Sequence, residues 1–537
     1  MLRTRCGLLD PATRLRWTRP PRSRGLASAA AAARPLRIGV VGGGPAGFYA
    51  AGRWLSVADN ARVDLFELLP TPFGLARFGV APDHPEVKNC EHKFEETARD
   101  PRFRFFGNVQ VCGTQASSDS TVLSVPNTTP SSLAVPIPLE KLRQHYDAVL
   151  LTYGASLDRP LGIPGEDTLK NVLSARTFVN WYNGHPYHSS FLAPLIDLSK
   201  LEHATIIGQG NVALDVARIL LKDVDALREY DVPDHVLAEL ARSRVKRVDI
   251  VGRRGPLQLA ATTKELREML NLPGVGFDID SQILSDAVRD VEAYPKMEGA
   301  RAKKRAMGLL AGGSKTPLAE ASKSWSLQFL QSPVELLPSS TEGATAPSAL
   351  EGITSPQSIG AVRYTLNELV PPSSASSSSS SPDPSQFSAR ATSESRIAST
   401  DILFKSVGYR SIGLPGLPFD ERRGIVRNDQ GRVVDEQGKR IDGLYTSGWL
   451  ARGPTGVIAT TMFDAFATAD LVAADLAQAG QVEEKPEFRI DEYSGGKKVV
   501  SWEDWEVIDR IERERGREKG KLREKVVSVE EMLEVVG

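Results

Sequence analysis

Short apolar runs that end in glycine alternate along this chain with segments of helical periodicity. The runs HYDAVLLTYGA (residues 145–155), VKRVDIVGRRG (residues 245–255) and STDILFKSVGYR (residues 399–410) have the length and the turn signals of buried strands. Apolar residues at helical spacing occupy residues 212–222 and 263–270. Strands that alternate with helices predict an α/β fold whose sheets are parallel and are built from strand–helix–strand units.

A glycine-rich loop joins a strand-like run to a helix-like run in RIGVVGGGPAGFYAAGRWL (residues 37–55). Gly42, Gly44 and Gly47 satisfy G-x-G-x-x-G, a pattern that permits a tight turn, close approach of a pyrophosphate and close packing of helix on strand. The next strand-like run, ARVDLFE, ends in Glu67 about 20 residues after the last glycine, where a carboxylate accepts hydrogen bonds from ribose hydroxyls. That carboxylate would repel a 2′-phosphate, so the loop predicts a site for FAD or NAD.

A segment near the C-terminus favours FAD over NAD at this first site. The run LYTSGWLARGPTGVIATTMFDAF (residues 444–466) ends a strand in Gly448 and Trp449 and then supplies GPTGVI ahead of an alanine-rich helix. Such a helix start directs backbone N–H groups and a positive dipole at the pyrimidine end of a flavin. Two distant segments then build one site, so the FAD domain is predicted to be discontinuous.

A second loop of this kind follows the strand-like run HATIIG. Gly208, Gly210 and Ala213 give the related pattern G-x-G-x-x-A. The next strand-like run, RVDIVG, is followed by Arg253 and Arg254, where an NAD site would carry an acid. Two guanidinium groups at that point suit bidentate recognition of a 2′-phosphate, so this loop predicts an NADPH site. The two loops together predict an NADPH-dependent flavoprotein.

Composition limits the other classes of function. The 537 residues are enough for roughly two to four domains. Lys plus Arg (66) balances Asp plus Glu (67), so no overall field favours nucleic acid or an acidic membrane. Three cysteines, Cys6, Cys90 and Cys112, contain no Cys-x-x-Cys pair, which argues against a disulfide framework and against a redox-active dithiol.

The N-terminal segment, residues 1–34, is basic and rich in alanine. It carries eight arginines against the single acid Asp10 and ends in an alanine tract, which predicts a mitochondrial transit peptide. The alternative is a disordered basic terminus that carries no targeting signal. The chain contains no apolar run near the roughly 20 residues that span a bilayer, so we expect a soluble protein, with peripheral attachment still open.

Polar, low-complexity segments interrupt the alternating pattern. Residues 113–138, 337–356 and 371–385 are rich in Ser, Thr and Pro and are predicted to be flexible insertions, because they cannot bury enough apolar surface to offset their ordering entropy. Within the predicted NADPH domain, the third insertion is expected to continue beyond its low-complexity part to residue 399. The charged C-terminal run, residues 502–533, predicts a partly amphipathic helix with a solvated face.

Six runs of the sequence resemble the adrenodoxin-reductase family, NADPH-dependent ferredoxin reductases related in architecture to glutathione reductase. They are PFGLARFGVAPDHPEVKN (72–89), LGIPGE (161–166), WYNGHP (181–186), GQGNVALDVARILL (208–221), VGRRGPLQLAATTKELREM (251–269) and SGWLARGPTGVIATTM (447–462). The resemblance implies hydride transfer from NADPH to FAD, then one-electron steps to a small acidic [2Fe–2S] ferredoxin of mitochondria. Cytochromes P450 or iron–sulfur cluster assembly would lie downstream.

The resemblance also implies the cofactor contacts. The residues that would contact FAD are Ala46, Glu67, Leu75, Val111, Trp449, Gly456, Val457 and Ile458. The residues that would contact NADPH are Gln209, Gly210, Asn211, Val212, Arg253, Arg254 and Glu265, with Gly456 also against the nicotinamide.

Two further sets of residues follow from the resemblance. His84 is expected near the flavin ring, where His84 and Glu265 would modulate catalysis without being its sole agents. The ferredoxin would dock on a basic cluster formed by Arg267, Arg301, Lys303, Lys304 and Arg305. One departure from the family is AATTKE in place of the commoner AFTIKE, which could alter the wall of the nicotinamide pocket.

The predicted architecture has two Rossmann-like domains, with the NADPH domain inserted into a discontinuous FAD domain. After the transit peptide, residues 35–156 form the first part of the FAD domain, residues 157–408 the NADPH domain, and residues 409–537 the second part of the FAD domain with the charged helices.

Other functions compete with this interpretation. An NADPH-dependent flavin monooxygenase would also need two loops and would release an oxygenated product without ferredoxin. A thiol-disulfide reductase is disfavoured by the missing cysteine pair. A dinucleotide sensor with a decayed flavin site would be colourless.

Overall fold

The computed structural model describes residues 34–113, 133–192, 196–339, 357–372, 383–479 and 484–537. Its strands, in chain order, are β1 Leu36–Val41, β2 Ala61–Phe66, β3 Phe103–Phe106, β4 Val109–Cys112, β5 Val135–Pro138, β6 Ala148–Leu151, β7 Leu157–Asp158, β8 Val172–Ser174, β9 His203–Ile207, β10 Arg247–Val251, β11 Val275–Ile279, β12 Lys323–Gln328, β13 Gln331–Pro338, β14 Ile359–Val370, β15 Ser388–Ser399, β16 Ile402–Lys405, β17 Tyr409–Arg410, β18 Phe419–Asp420, β19 Ile425–Val426, β20 Asn428–Asp429, β21 Arg432–Val434 and β22 Arg440–Thr446.

The α-helices connect these strands and cover the sheets. In chain order they are α1 Pro45–Val57, α2 Leu75–Phe78, α3 Cys90–Ala98, α4 Leu139–Arg143, α5 Ala175–Tyr182, α6 Pro186–Leu192, α7 Asn211–Leu221, α8 Asp234–Arg242, α9 Thr263–Leu270, α10 Ser281–Ala293, α11 Ala300–Gly312, α12 Trp449–Arg452, α13 Ile458–Gln478, α14 Asp491–Ser494, α15 Trp502–Glu518 and α16 Val529–Val535. Within the described ranges, no helix has both the length and the apolar character needed to cross a membrane.

The first sheet takes its strands from both ends of the chain. Its order is β20-β21-β22-β6-β1-β2-β3, parallel from β22 to β3, with β20 and β21 added antiparallel at one edge. The strand β6 is buried along its whole length, as its uninterrupted apolar sequence predicts. Apolar clusters cover both faces: α1, α13 and α15 pack on one, and β4 and β5 pack on the other.

The second sheet is parallel throughout and lies between the two halves of the first in the sequence. Its order is β11-β12-β10-β9-β16-β8, with α5, α7, α8 and α9 contributing to its apolar core. The predicted α/β class with two Rossmann-like units is therefore confirmed. The helices predicted from periodicity are also confirmed, because α7 agrees within one residue and α9 matches its predicted bounds.

The predicted flexible insertion at residues 371–399 is wrong for its last part. Residues 388–399 form β15, which pairs antiparallel with β14 over most of its length and completes a three-stranded sheet with β13. Main-chain pairing and cross-strand ion pairs, such as Arg390 with Glu368 at 2.7 Å, stabilise this strand although its side chains are mostly exposed. A polar composition therefore did not exclude a strand here.

The other predicted insertions are also shorter than expected. Val135 and Ile137 of β5 are buried, because β5 pairs in parallel with β4 beneath the first sheet. The strand β13 extends to Pro338, and a 3₁₀ turn spans Pro384–Gln386. The remaining parts of the three insertions, 114–132, 340–356 and 373–382, lie outside the described residues.

The composition of the charged C-terminal helix predicts a solvated face, but part of this helix is buried. Trp502, Trp505 and Ile508 of α15 are buried in the core of the first unit, and Trp505 packs edge-on against Phe73 at 5.8 Å. Glu512 is completely buried between arginines. The helix thus has an apolar stripe at helical spacing, which its high overall content of charged residues made hard to recognise.

The predicted transit peptide lies outside the described residues except for its last member. Arg34 forms an ion pair with the buried Asp147, with 2.7 Å between guanidinium and carboxylate. Arg34 is therefore part of the fold of the first unit.

Candidate functional site

The first glycine-rich loop has the geometry that its three glycines predict. Gly42 has φ +112°, and a Cβ there would lie 2.7 Å from the main chain of Thr152. A Cβ on Gly47 would lie 2.2 Å from the carbonyl oxygen of Gly42, so this glycine lets α1 pack on the loop. Gly44 differs, because a Cβ there would have no atom within 4 Å. The space above Gly44 is thus left open at the start of α1, where unpaired N–H groups attract an anion.

Glu67 lies between this loop and the end of β2. One carboxylate oxygen accepts a hydrogen bond from the main-chain N–H of Gly43 at 2.6 Å, and the other accepts one from Leu69 at 3.1 Å. Burial raises the pKa of Glu67, an effect that these N–H donors oppose. The carboxylate therefore fixes the loop and has lone pairs left for a ligand.

A cavity of about 360 Å³ extends from this loop across the first unit. The residues predicted to contact FAD that line it are Gly42, Gly44, Ala46, Glu67, Leu75, Val111, Trp449, Val457 and Ile458. Gly47 packs beneath the loop, and Gly456 is exposed with φ +78° directly before Val457. The structure thus brings the N-terminal and C-terminal segments together around one space, as the sequence predicts.

One wall of the cavity comes from residues to which the sequence assigned no role. Arg176, Asn180, His185 and His188, on α5, α6 and the turn between them, line the same space. Part of this group lies in the run WYNGHP, which entered the sequence analysis only as a family resemblance. The available signal was a set of polar side chains within an apolar helix, ARTFVNWY.

The second glycine-rich loop repeats the geometry of the first. Gly208 has φ +120°, and a Cβ there would lie 2.1 Å from the carbonyl oxygen of Ser406. A Cβ on Gly210 would have no atom within 4 Å, and Asn211 begins α7. Gln209 donates a hydrogen bond to the main chain of Gln328 at 2.9 Å, which holds the loop on the sheet. The start of α7 is therefore a second open anion site.

Arg253 and Arg254 lie at the end of β10, beside this loop. Both side chains are exposed, and within the described part of the chain neither guanidinium forms an ion pair. Their main chain is fixed, because Asn367 donates to the carbonyl oxygen of Arg253 at 2.9 Å and Leu330 donates to that of Arg254 at 3.2 Å. Two cations on a fixed backbone are thus free to bind an anion.

A buried polar cluster joins the two units near the C-terminal end of α7. The Arg218 guanidinium is 2% exposed and pairs with Asp83 at 3.0 Å, Asp215 at 2.8 Å and Glu265 at 3.2 Å. Burial acts to raise the pKa of Asp83, but Arg218 and Lys222 outweigh it and lower that pKa. Asp83 belongs to the first unit and Arg218 to the second, so this cluster contributes to holding them together.

The two predicted modulators, His84 and Glu265, meet at this cluster. His84 Nε2 lies 2.6 Å from a carboxylate oxygen of Glu268, and Arg218 contacts both glutamates. Burial, followed by the charge of Asp215, raises the pKa of Glu265. His84 lies outside the described lining of the 360 Å³ cavity. Sequence reasoning missed Arg218, whose signal was a lone cation in the apolar run VARILL.

The residues of the predicted basic cluster lie on two packed helices. Arg267 is exposed on α9, and α9 contacts α11. Arg301, Lys304 and Arg305 are exposed on α11, whereas Lys303 is half-buried and donates to the carbonyl oxygen of Glu298 at 2.6 Å. The opposite side of α11 packs into the core of the second unit. These five cations are hereafter called the basic surface.

Comparisons with known proteins give close relatives over almost the whole chain, although no family model matches it. The chain is 41% identical to the mitochondrial NADPH:adrenodoxin oxidoreductase of Salvelinus fontinalis, covering 95% of this chain and 93% of that protein. It is also 41% identical to the human protein of the same name, covering 93% and 92%. The solved structure of Mycobacterium tuberculosis FprA in complex with NADPH has a TM-score of 0.77 and 36% identity, covering 94% of this chain and all of that one.

Proposed function

The chain belongs to the NADPH:adrenodoxin oxidoreductase family, and from that premise we propose that it transfers electrons from NADPH through FAD to a mitochondrial [2Fe–2S] ferredoxin of the adrenodoxin type. The protein is an oxidoreductase of mitochondria. The names of its relatives do not support the flavin monooxygenase alternative. One observation carries the proposal: two loops of the same geometry are closed by a half-buried carboxylate in one unit and by two exposed arginines in the other.

The cavity of the first unit fits FAD. The open space at Gly44 would admit a pyrophosphate against the start of α1, and Glu67 would accept hydrogen bonds from ribose hydroxyls. Trp449, Val457 and Ile458 line the part of the cavity assigned to the flavin ring, where the start of α13 supplies a positive dipole. When bound there, FAD supplies the acceptance of a hydride and the release of single electrons.

The second loop fits NADPH. Its pyrophosphate would lie against the start of α7 above Gly210, and Gln209, Asn211 and Val212 would surround it. Arg253 and Arg254 would hold the 2′-phosphate by charge-assisted hydrogen bonds, which are about twice as strong as neutral ones. A carboxylate at this position would repel the same phosphate, so the two arginines select NADPH over NADH.

The two units correspond to the proposed domains. Residues 35–156 and 409–537 would form the FAD domain and residues 157–408 the NADPH domain, preceded by a targeting segment. The cluster around Arg218 and Asp83 joins these domains at the C-terminal end of α7. We infer that His84, Glu265 and Gly456 act where the nicotinamide meets the flavin, with the two acid–base side chains as modulators.

The basic surface is the proposed dock for the ferredoxin. An acidic partner would be attracted to Arg267, Arg301 and Arg305 by charges that act mainly on the association rate. Thiol chemistry is not required for this reaction. Burial raises the pKa of the Cys90 thiol to about 12, which disfavours a reactive thiolate there.

A visible spectrum and an anaerobic NADPH titration test the proposed function. Purified protein should be yellow, should bleach on addition of NADPH, and should regain its absorbance when an oxidised [2Fe–2S] ferredoxin is added. NADH at the same concentration should reduce the flavin poorly. Colourless protein, or reoxidation by oxygen with an oxygenated product and none by ferredoxin, would contradict the proposal.

A further inference from the structure

His185 belongs to the second unit but forms part of the cavity that the first unit provides. Its ring is partly accessible, and it lines this cavity together with His188 and Asn180. Phe78, from the first unit, packs on the ring with 4.9 Å between centroids. The ring therefore lies at the junction of the two units and is held from both sides.

The hydrogen bonds of His185 fix its tautomer. The main-chain N–H of Tyr187 donates to Nδ1 of His185 at 3.3 Å. A main-chain N–H can only donate, so Nδ1 of His185 carries no proton. Nδ1 of His188 lies 3.3 Å from the same atom and 3.4 Å from the side-chain nitrogen of Asn180, so the Tyr187 N–H, and not His188, decides the tautomer of His185. Neutral His185 is therefore protonated on Nε2.

The surroundings keep both imidazoles neutral. Burial, followed by the charges of His188 and Arg176, lowers the pKa of His185 well below its usual value. Burial and Arg176 lower the pKa of His188 to about 3. Arg176 is itself held by Asp158 at 3.1 Å. At neutral pH the ring of His185 thus carries one N–H donor and no net charge.

This donor has no partner of its own in the part of the chain that the structure describes. Nδ1 is engaged on the protein side, whereas no described group is hydrogen-bonded to Nε2. The wall around His185 extends toward Trp449. Arg176 of this wall pairs with Asp158, which is the strand partner of Tyr409. The Tyr409 ring lies 6.0 Å from the Trp449 ring. The donor therefore lines the same cavity as Trp449, in a wall that extends toward that ring.

We propose that His185 Nε2–H donates a hydrogen bond to N1 or a carbonyl oxygen of the flavin ring and favours its reduced form. This inference rests on the proposed function, because it requires FAD in the cavity. Electron-rich reduced flavin accepts a hydrogen bond more strongly than oxidised flavin, so the donor raises the midpoint potential. It also ties the cofactor of the first unit to a residue of the second.

The tautomer can be tested first by NMR. The chain has seven histidines, so protein labelled with ¹⁵N in its histidine side chains gives few signals. We expect His185 to show an unprotonated Nδ1 and a protonated Nε2, with the Nε2 signal shifting between FAD-free and FAD-loaded protein. The His185→Gln spectrum assigns the signal by its absence. A protonated Nδ1, or an Nε2 signal that FAD leaves unchanged, would overturn the proposal.

The flavin potential provides the second test. His185→Phe keeps a planar ring against Phe78 but removes the donor, whereas His185→Gln retains an N–H of similar reach. We expect the first variant to lose about tenfold in its preference for reduced over oxidised FAD, which is about 30 mV for a two-electron couple. The second should restore most of that loss. Equal potentials in wild type and His185→Phe, or equal losses in both variants, would overturn the inference.

The wild-type protein separates failure of this inference from failure of the function. FAD-loaded wild type that NADPH reduces, combined with an unchanged potential in His185→Phe, would overturn only the role of His185. Wild type that binds no FAD would overturn the proposed function and this role together.

Discussion

The two glycine-rich loops share a backbone but differ in what closes them. In each, the first glycine has a φ near +115° and leaves no room for a Cβ, and the middle glycine opens onto free space before a helix. The first loop is closed by Glu67, which is tied to Gly43 and lines a deep cavity. The second is closed by exposed arginines without ion pairs in the described chain. On the proposed function, the shared backbone would bind a pyrophosphate, and the closing residues would decide which nucleotide is bound and how tightly it is enclosed.

This difference matches two modes of use. A cofactor that stays bound is served by a site that removes it from water, as the cavity of the first unit does. A cosubstrate that must leave after each turnover is served by an open site, where charge provides selection without deep burial. The predictions below test each half of this comparison.

The largest effect should come from filling the open glycines. Gly44→Val and Gly210→Val add a side chain where no atom lies within 4 Å of Cβ, at backbone angles that valine adopts, so both variants should fold. We expect Gly44→Val to purify without FAD. Gly210→Val should retain FAD but resist reduction at NADPH concentrations that saturate the wild type. Absorbance spectra and anaerobic titration provide the measurements.

A third open glycine provides the control for these variants. Gly308 lies on α11, away from both loops in sequence, and also has no atom within 4 Å of a built Cβ. Gly308→Val should bind FAD and be reduced by NADPH like the wild type. Loss of FAD from both loop variants would show that the two sites are not separate.

A smaller but selective effect is expected from removing both arginines of the second loop. Charge-assisted hydrogen bonds contribute roughly 1.5–3 kcal/mol each, so Arg253→Ala with Arg254→Ala should raise the KM for NADPH about a hundredfold or more. The KM for NADH should change little. Steady-state kinetics with both nucleotides measure the difference.

Another pair of neighbouring arginines serves as the matched control. Arg422 and Arg423 are also exposed but belong to the returning part of the first unit. Their replacement by alanine should leave both Michaelis constants unchanged. If the KM for NADPH and the KM for NADH rose equally in the Arg253/Arg254 variant, the assignment of these arginines to the 2′-phosphate would be wrong.

Charge reversal on the basic surface should have the next largest effect. Lys303, Lys304 and Arg305 changed to Glu should slow ferredoxin-dependent cytochrome reduction about tenfold at low salt and flatten its salt dependence, because such charges are screened over roughly 8–10 Å. Reduction of a small neutral acceptor by NADPH should stay near wild type. A parallel fall of both activities would assign the cluster to folding or to NADPH binding.

The same charge change elsewhere on the second unit controls for net charge. Arg242, Arg244 and Lys246 are exposed around the end of α8. Their reversal should leave the ferredoxin reaction at least severalfold faster than reversal on the basic surface.

The smallest effect is expected from lowering the pH. Acid should destabilise the fold through the histidines that line the first cavity and not through the arginines of the second loop. His188 has a folded pKa of about 3, below its ordinary 6.5, so the unfolded chain binds more protons between these values. Neutral His188 therefore makes its full contribution to the free energy of unfolding above pH 6.5, and this contribution is lost as the pH falls below that value. One such group lowers the free energy of unfolding by about 1.4 kcal/mol for each pH unit below pH 6.5, down to about pH 3.

Thermal unfolding midpoints between about pH 7 and about pH 5 measure this loss. We expect the decrease to be smaller in His188→Phe than in the wild type. His92→Phe, which changes an exposed imidazole, should follow the wild type. Identical slopes in all three proteins would show that His188 is not the group that loses stability.

The sequence predicted the parts of the site that depend on local spacing. Both loops follow their strands as predicted. Glu67 directly follows β2, and Arg253 and Arg254 lie two and three residues after the end of β10. Such features are set by backbone geometry within a few residues, since only glycine fits the turn and only a strand end presents the next side chain at the loop. For the same reason the bounds of α7 and α9 were readable from periodicity.

The sequence predicted less where distant segments meet. The strand β15 is polar, yet its pairing with β14 stabilises it, and the charged α15 buries two tryptophans against the first unit. Neither partner is near in sequence. Composition reports the average burial of a segment, whereas pairing and packing depend on what the fold places beside it.

The amino-acid sequence by itself determined the α/β class, the two nucleotide loops and the opposite charges that close them, because each follows from residues close together in the chain. Only the tertiary structure decided that Arg218 of the second unit pairs with Asp83 of the first, and that His185 forms a wall of the other unit's cavity. Those contacts join residues more than a hundred positions apart. Their geometry is fixed by how the two sheets pack, and no local pattern in the sequence encodes that packing.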